Sequence, residues 1–392
     1  MKVIIHRDIE TLKRLLPTWK RLNEEYNDIT IFQTKHWLEN WWQVKNKEKM
    51  TPYIIEVVND RQTIGILPLC ISYNMFLDKV FRTLKPIGWD NSDYLLPVLS
   101  RAFPWRETMY HAFNTIFEDC ASWDYFEWSD IPKDGAIDKY LESFLNQRGA
   151  VFKRIDGAVC PYIPLNTNTE DIRNQSEQAF LKQIRSKERR LMKKGSLTFK
   201  KVVNEADIAF VMTKLFDLHC RRWEHTDTPS SFLKDEEREV ALLNATALFQ
   251  QHVLHLTYLL FNNDVIAVHF GMSDDKRLYY YLPAYDTDYR KYSVGNILTS
   301  HLIQHAAKEG YEIFDFLKGD EGYKWMFGAK EKKNITFSIY NQTLRSKINK
   351  NIAETYFSTQ FKKKNLMYQF LKKLKVRGSL STLGFIEILS KQ

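Results

Sequence analysis

The 392-residue chain is short of cysteine, and the four it has (Cys70, Cys120, Cys160, Cys220) lie far apart with no C-x-x-C spacing. That scarcity argues against a zinc site and against a disulfide framework. His219 and His225 flank Cys220, yet a buried thiol near surface histidines is the plainer reading. Long apolar runs are also missing, and none approaches the ~20 residues that span a bilayer. The amino terminus Met1-Lys-Val-Ile-Ile-His-Arg7 has a three-residue apolar run, too short for the apolar stretch of a secretion signal. No zinc-finger, RNP-type or helix-turn-helix signature is present. These absences lead to the expectation of a metal-free, cytoplasmic enzyme.

A chain of this length has a prior of two domains, each able to bury its own core. Aromatics are plentiful, with 25 Phe, 20 Tyr and 10 Trp, which suits deep cores and sugar-sized pockets. An internal duplication supports the same division. Residues 53–69 read strand, Asn-Asp turn, strand, and residues 255–270 repeat that order. Further on, Trp123-Asp-Tyr-Phe-Glu-Trp128 parallels Tyr311-Glu-Ile-Phe-Asp-Phe316, each copy preceded by an amphipathic helix. Repeats of this size mark duplicated domains, since solenoid periods are much shorter. The crossover falls near residues 160–169, where prolines give way to a polar turn cluster. The expected units are 1–165, 166–344 and a tail, 345–392.

The second copy is the more informative. Strands over 253–261, 265–271 and 278–284 precede Arg290-Lys-Tyr-Ser-Val-Gly-Asn296, a helix from Ile297 to Lys308, and a buried strand, 311–317. Arg290, Ser293 and Gly295 have the spacing of the Q/R-x-x-G-x-G/A loop of the GNAT acyltransferases. Phe314-Asp-Phe-Leu-Lys-Gly-Asp-Glu-Gly-Tyr-Lys-Trp325 resembles the signature of the CelD-like branch of that superfamily, found in bacterial polysaccharide gene clusters. Gly88-Trp-Asp-Asn-Ser-Asp-Tyr94, Ser186-Lys-Glu-Arg-Arg-Leu191 and His219-Cys-Arg-Arg-Trp223 also match. The branch is similar in architecture to the Fem-type transferases, which carry two GNAT-like folds in one chain.

The resemblance implies an α/β protein of two tandem GNAT-like domains, mixed sheets flanked by helices, followed by a basic helical tail. It also implies that the loop sets backbone N–H groups and a helix N-terminus against a coenzyme A pyrophosphate. The cofactor would be acetyl-CoA or another acyl-CoA, held by Arg290, Lys291, Ser293, Val294, Gly295 and Asn296. Ser293 departs from the family pattern, which often has glycine there. The first copy offers Leu99-Ser-Arg-Ala-Phe-Pro-Trp105 in place of a glycine loop and reads as a half without a cofactor site.

Two stretches are strongly basic. Lys182 to Lys201 holds nine Lys or Arg against one Glu, which either attracts a phosphate-bearing ligand or is a solvated helix face. Arg345 to Gln392 holds eleven Lys or Arg and two Glu, the whole of the chain's net +9. Such a tail suits the anionic inner leaflet of a membrane ahead of nucleic acid, or packs on its neighbour.

Amine acylation needs a base for the nucleophile and donors near the thioester oxygen. Asp315, between two Phe at a strand end, is the first candidate base and His269 the second; each has a structural alternative, an ion pair or a hydrogen-bonded core histidine. Lys318, Asp320, Tyr323 and Lys324 should lie over the site. Arg221, Arg222 and Trp223 should border the acceptor cleft, and Trp89 and Asp93 should add the first domain's share. The expected function is transfer of a short acyl group from acyl-CoA to an amino sugar, free or nucleotide- or lipid-linked, in envelope or exopolysaccharide synthesis. The alternatives are Fem-type aminoacyl transfer from charged tRNA to a cell-wall precursor, and a non-catalytic, membrane-associated scaffold.

Overall fold

The structure, a computed structural model, describes residues 1–343 except 16–17, 20–21, 23–29, 46–49, 77–78, 166–174, 225 and 227–228. The basic tail from 345 onward lies outside the described residues. The first half runs β1 (Lys2–His6), α1 (Glu10–Arg14), α2 (Lys35–Lys45), β2 (Met50–Asn59), β3 (Gln62–Phe76), β4 (Lys79–Pro86) and β5 (Val98–Leu99). It continues through α3 (Trp105–Glu118), β6 (Tyr125–Pro132), α4 (Ala136–Gln147), β7 (Val151–Val159) and β8 (Tyr162–Pro164). The second half runs α5 (Gln175–Met192), β9 (Leu197–Lys201), α6 (Ile208–Trp223), α7 (Asp235–Gln250), β10 (Leu254–Phe261), β11 (Asp264–Ser273) and β12 (Arg277–Tyr285). It closes with α8 (Val294–Lys308), β13 (Ile313–Asp315), α9 (Gly322–Met326) and β14 (Lys333–Tyr340).

The duplication extends to fine detail. β2 and β3 turn at Asp60-Arg61, with φ of 45° and 71°, and β10 and β11 turn at Asn262-Asn263, with φ of 49° and 73°. Two successive left-handed residues match the twist of a two-residue hairpin. In both hairpins the register slips by one residue at the same distance from the turn, between Val57 and Val58 and between Leu259 and Leu260. A bulge there bends the long strands over their helices. Each half then makes a strand–helix–parallel strand crossover. Thr83 and Leu84 of β4 pair with Tyr125 and Phe126 of β6. Arg277, Leu278 and Tyr279 of β12 pair with Ile313, Phe314 and Asp315 of β13.

The sheets do not follow a boundary at 165/166. The first has the order β1-β2-β3-β4-β6-β14-β7, with β5 beside β3, and the second β8-β13-β12-β11-β10-β9. Each half therefore lends the other a strand: β14 fills the gap between β6 and β7, and β8 covers the edge of β13. Apart from the two sheet cores, a third cluster joins the halves. Phe32 meets Tyr94 and Tyr279, at ring centroid separations of 6.2 and 6.0 Å, and Trp37 meets Tyr281 at 5.5 Å. The apolar bodies of these rings are buried at the seam, so the halves are packed as one body.

Candidate functional site

β12 and β13 pair over three residues only, after which β12 runs on from Tyr280 to Tyr285 without a partner on that side. The sequence led us to expect a longer last strand, 311–317. It stops at Asp315 because Leu317 turns left-handed, with φ of 58°, and an αL residue cannot continue a ladder. The fork opens onto a cleft of about 440 Å³ at the seam of the two halves. Its walls include Tyr281, Leu282 and Pro283 of β12, His219, Arg222 and Trp223 at the end of α6, Glu237 and Asn244 of α7, Asp90, Asn91 and Asp93 of the first half, and Lys318, Glu321 and Tyr323.

The loop between β12 and α8 adjoins this cleft. Residues Thr287–Tyr292 form a 3-10 turn that ends in Ser293, whose φ of 54° is left-handed. The serine thus adopts the conformation that glycine takes most readily, at a strain of about 1 kcal/mol. Its hydroxyl does not cap α8; it accepts from Lys187 Nζ of α5 at 2.8 Å. The N–H groups of Val294, Gly295 and Asn296 open the helix where no preceding turn supplies carbonyls, and with Arg290 and Lys291 exposed beside them they form an anion-receptive end. Gly295 is needed for close packing: a Cβ there would lie 3.0 Å from the Tyr285 ring. Arg222 in turn sits over the Tyr285 ring at 5.0 Å and over Trp223 at 5.4 Å. A buried hydrogen-bond chain also runs from cleft to loop. Tyr323 bonds Tyr280, Tyr280 bonds Thr299 Oγ1 at 2.9 Å, and Thr299 donates to the Gly295 carbonyl at 2.9 Å. Burial raises the Tyr280 hydroxyl to about 12, so the chain stays protonated.

The segment from Asp315 to Lys324 is tied at both ends. The Asp315 carboxylate is 2% exposed, accepts from Tyr94 Oη at 2.9 and 3.1 Å and from the Leu317 N–H at 2.9 Å. Those bonds hold the left-handed turn, while burial raises its pKa. Lys324, also buried, donates to the carbonyls of Phe316, Lys318 and Gly319 at 3.2, 3.0 and 3.1 Å. Lys318 is thereby aimed across the seam. Its ammonium donates to the Ser92 carbonyl at 2.9 Å and lies 3.3 Å from both Asp93 and Asp130.

The structure therefore brings Asp93, Lys318, Arg222, Trp223 and Tyr323 to one cleft, and gathers Arg290, Lys291, Ser293, Val294, Gly295 and Asn296 beside it. Other candidates lie elsewhere. Asp315 lines a separate cavity with Arg277, Tyr162 and Lys332, since strand alternation turns it away from Phe314 and Phe316. His269 is fully buried under Tyr280, with ring centroids 4.7 Å apart, and burial lowers it to about 3; neither fact suits a base that must meet substrate. Lys324 is a loop clamp, and exposed Asp320 accepts from Trp325 Nε1 at 2.7 Å. Arg221 pairs with Asp288 and Asp286 of the loop at 3.4 and 3.7 Å. Trp89 packs on Trp41 at 4.8 Å.

Sequence reasoning gave Tyr281 no role and left His219 as a surface histidine beside Cys220, whereas His219 is half-buried on the cleft wall. His219 carried a usable signal, because His219, Arg222 and Trp223 have the i, i+3, i+4 spacing of one helix face. Its Nδ1 lies 2.7 Å from Ser230 Oγ, and burial lowers it to about 4, so it is a neutral hydrogen-bonding group. Nothing local marked Tyr281, which donates to the Asn91 carbonyl of the other half at 2.8 Å. Among the described residues no cluster of His, Cys, Asp or Glu suits a metal ion, and no helix is long and apolar enough to cross a membrane.

Residues 178–325 match the family described as Acetyltransferase (GNAT) domain. This segment spans α5 to α9 and holds the fork, the loop and most of the cleft, so the chain carries a GNAT acyltransferase domain and is an N-acyltransferase. Among solved structures the fold is similar to FemX, with a TM-score of 0.58 and 12% identity over 87% of this chain and 98% of that one. It is also similar to the C-terminal domain (DUF2156) of a putative lysylphosphatidylglycerol synthetase from Agrobacterium fabrum, with a TM-score of 0.51, 13% identity and coverage of 86% and 96%. A conserved protein of unknown function from Bacteroides thetaiotaomicron aligns at a TM-score of 0.53 and 13% identity, over 86% of this chain and all (100%) of that one. At these identities the likeness is one of fold. No curated protein matches the sequence.

Proposed function

We propose that the protein transfers a short acyl group from acyl-CoA to the amine of an amino sugar. The observation that carries this reading is the uncapped N-terminus of α8 opening beside a fork in the sheet. Arg290, Lys291 and Lys187 would hold a pyrophosphate against the N–H groups of Val294, Gly295 and Asn296. Acyl-CoA supplies an activated carbonyl with a thiolate leaving group. The chain's own residues orient the amine: Trp223, Tyr281 and Tyr323 give the cleft a wall of amphipathic rings suited to a sugar, and Asp90, Asp93, Glu237 and Glu321 favour a cationic acceptor. Envelope or exopolysaccharide synthesis is the setting that the sequence resemblance supports.

Calorimetry with acetyl-CoA tests the reading: micromolar binding that weakens at least tenfold in Arg290→Ala is the expected result, and no binding by the wild type sinks it. A second reading, aminoacyl transfer from charged tRNA, is favoured by α5. Its one acid in the basic stretch, Glu188, is engaged by His301 at 2.6 Å, while Lys182, Arg185, Arg189 and Lys193 are exposed. Salt-sensitive tRNA binding without acetyl-CoA binding would move the conclusion there.

A further inference from the structure

We infer that Asp93, a residue of the first half, is the group that receives the acceptor's ammonium and takes its proton. The inference rests on the acyl-transfer reading and names the base for it. Asp93 lines the cleft with a side chain 14% exposed, so it is mostly removed from water yet reachable from the side where an acceptor enters. A carboxylate in that position needs strong hydrogen bonds to be satisfied. Asp93 has only long ones: Lys318 Nζ lies 3.3 Å from Oδ1, and the Lys318 N–H lies 3.4 Å from Oδ2. Lys318 is moreover shared with Asp130, 3.3 Å away, and donates its shortest bond, 2.9 Å, to the Ser92 carbonyl. One ammonium thus serves two carboxylates, which leaves Asp93 with unfilled acceptor capacity on the wall of the cleft.

Asp130 differs from its neighbour in this respect. It does not line the cleft, and Asn334 Nδ2 also approaches it, at 3.4 Å. Asp315, the carboxylate that the sequence favoured, has short bonds to Tyr94 and Leu317 and lies on another cavity. Around Asp93 the other titratable groups are Lys318, Asp130, Asp90, Tyr94, Tyr281 and Cys160, and burial raises Asp93 above its ordinary range while Lys318 opposes the rise. A carboxylate so placed is more basic than one in water.

A docked ammonium gives one proton to Asp93, which returns it to solvent after turnover. The freed nitrogen lone pair forms the C–N bond as the C–S bond breaks and its electrons leave on sulfur. The second proton, shed as the amide forms, neutralises the thiolate. The first half then supplies a catalytic residue even though it has no cofactor loop.

The experiment measures thiol release from acetyl-CoA with glucosamine, galactosamine and mannosamine for the wild type, Asp93→Asn and Asp130→Asn, with acetyl-CoA calorimetry on each. We expect Asp93→Asn to lower kcat/KM about a hundredfold or more, to flatten the acidic limb of the pH profile, and to leave acetyl-CoA affinity unchanged. Asp130→Asn should lose less than tenfold. Equal losses in the two variants, or full turnover in Asp93→Asn, overturn the inference. Should Asp93→Asn fail to fold, the wild type still decides by calorimetry: glucosamine must bind at least tenfold more tightly than uncharged N-acetylglucosamine, and equal binding overturns it. A wild type that binds acetyl-CoA but acetylates none of the three amino sugars also overturns it, whereas a wild type that does not bind acetyl-CoA fails the acyl-transfer reading itself.

Discussion

The two halves start from the same plan and put the segment after their fourth-position strand to different uses. In the second half, β12 leads through a 3-10 turn and a left-handed serine into an uncapped α8. In the first half, β4 is followed by Ile87 to Pro104, which brings Asp90, Asn91 and Asp93 to the cleft at the seam before β5 pairs again with β3. α3 then begins after Pro104 with no left-handed residue before it. Duplication thus left one copy with an anion-receptive helix end and turned the equivalent segment of the other into a wall of the cleft. Their buried polar groups differ as well. The second half buries His255 and His269, whereas His6 of the first lies beside Glu56 at 2.8 Å.

The comparison is broken most severely if the halves unfold separately. Strand exchange through β14 and β8 couples them, so a core deletion in either should shift one shared transition. Phe113→Ala removes a fully buried ring that stacks on Trp128 at 5.9 Å and should cost about 3–5 kcal/mol. Leu302→Ala, in the second core, should cost about 2–5 kcal/mol. Both should lower a single calorimetric transition, and two resolved transitions would refute the coupling.

Acid should act through the second half. His255 and His269 are pressed down to about 3 by burial, below the ~6.5 of an unfolded histidine. The stability they contribute is complete above pH 6.5 and is lost as pH falls toward 3, about 2 kcal/mol for each at pH 5. Asp93, Asp130 and Asp315 are pushed upward and act in the opposite sense, so the test compares variants. The loss of denaturant midpoint between pH 7 and pH 5 should be smaller in His269→Gln than in the wild type. An unchanged loss would place the acid sensitivity elsewhere.

The helix ends offer a finer contrast. Gly295→Val forces a side chain against Tyr285 at the opening turn of α8, and acetyl-CoA affinity should fall about tenfold, or ~1.4 kcal/mol. Arg106→Ala, in the opening turn of α3, should leave that affinity unchanged. Equal effects would mean the cofactor is not held at α8. The smallest effect concerns Ser293→Gly, which relieves the left-handed strain but frees the unfolded chain and loses the Lys187 bond. The net change in melting should be within about 1 kcal/mol, and Ser293→Val should be the more damaging of the two.

Much of the framework was legible in the residues. The Asn-Asp and Asn-Asn-Asp turns, the alternating strands and the amphipathic helices before residues 123 and 311 gave both hairpins and both crossovers, because turn chemistry and side-chain periodicity act over a few residues. The loop 290–296 was legible for the same reason. The roles within the motif Asp315–Lys324 were not. Asp315 and Lys324 are polar residues in a motif, and only the fold shows that both are buried ties, one on Tyr94 and one on three carbonyls.

What the sequence determined by itself was therefore local: two copies of one strand and helix order, a helix end able to receive an anion, and a charged segment after the last parallel strand. Tertiary structure alone decided that Asp315 is turned away from the cleft and that β14 and β8 change sheets. Those outcomes depend on contacts between residues far apart in the chain, such as Asp93 with Lys318 and Tyr94 with Asp315. Local propensity and spacing carry no information about such pairs, because burial and long-range packing fix which polar group is satisfied and which is left facing a ligand.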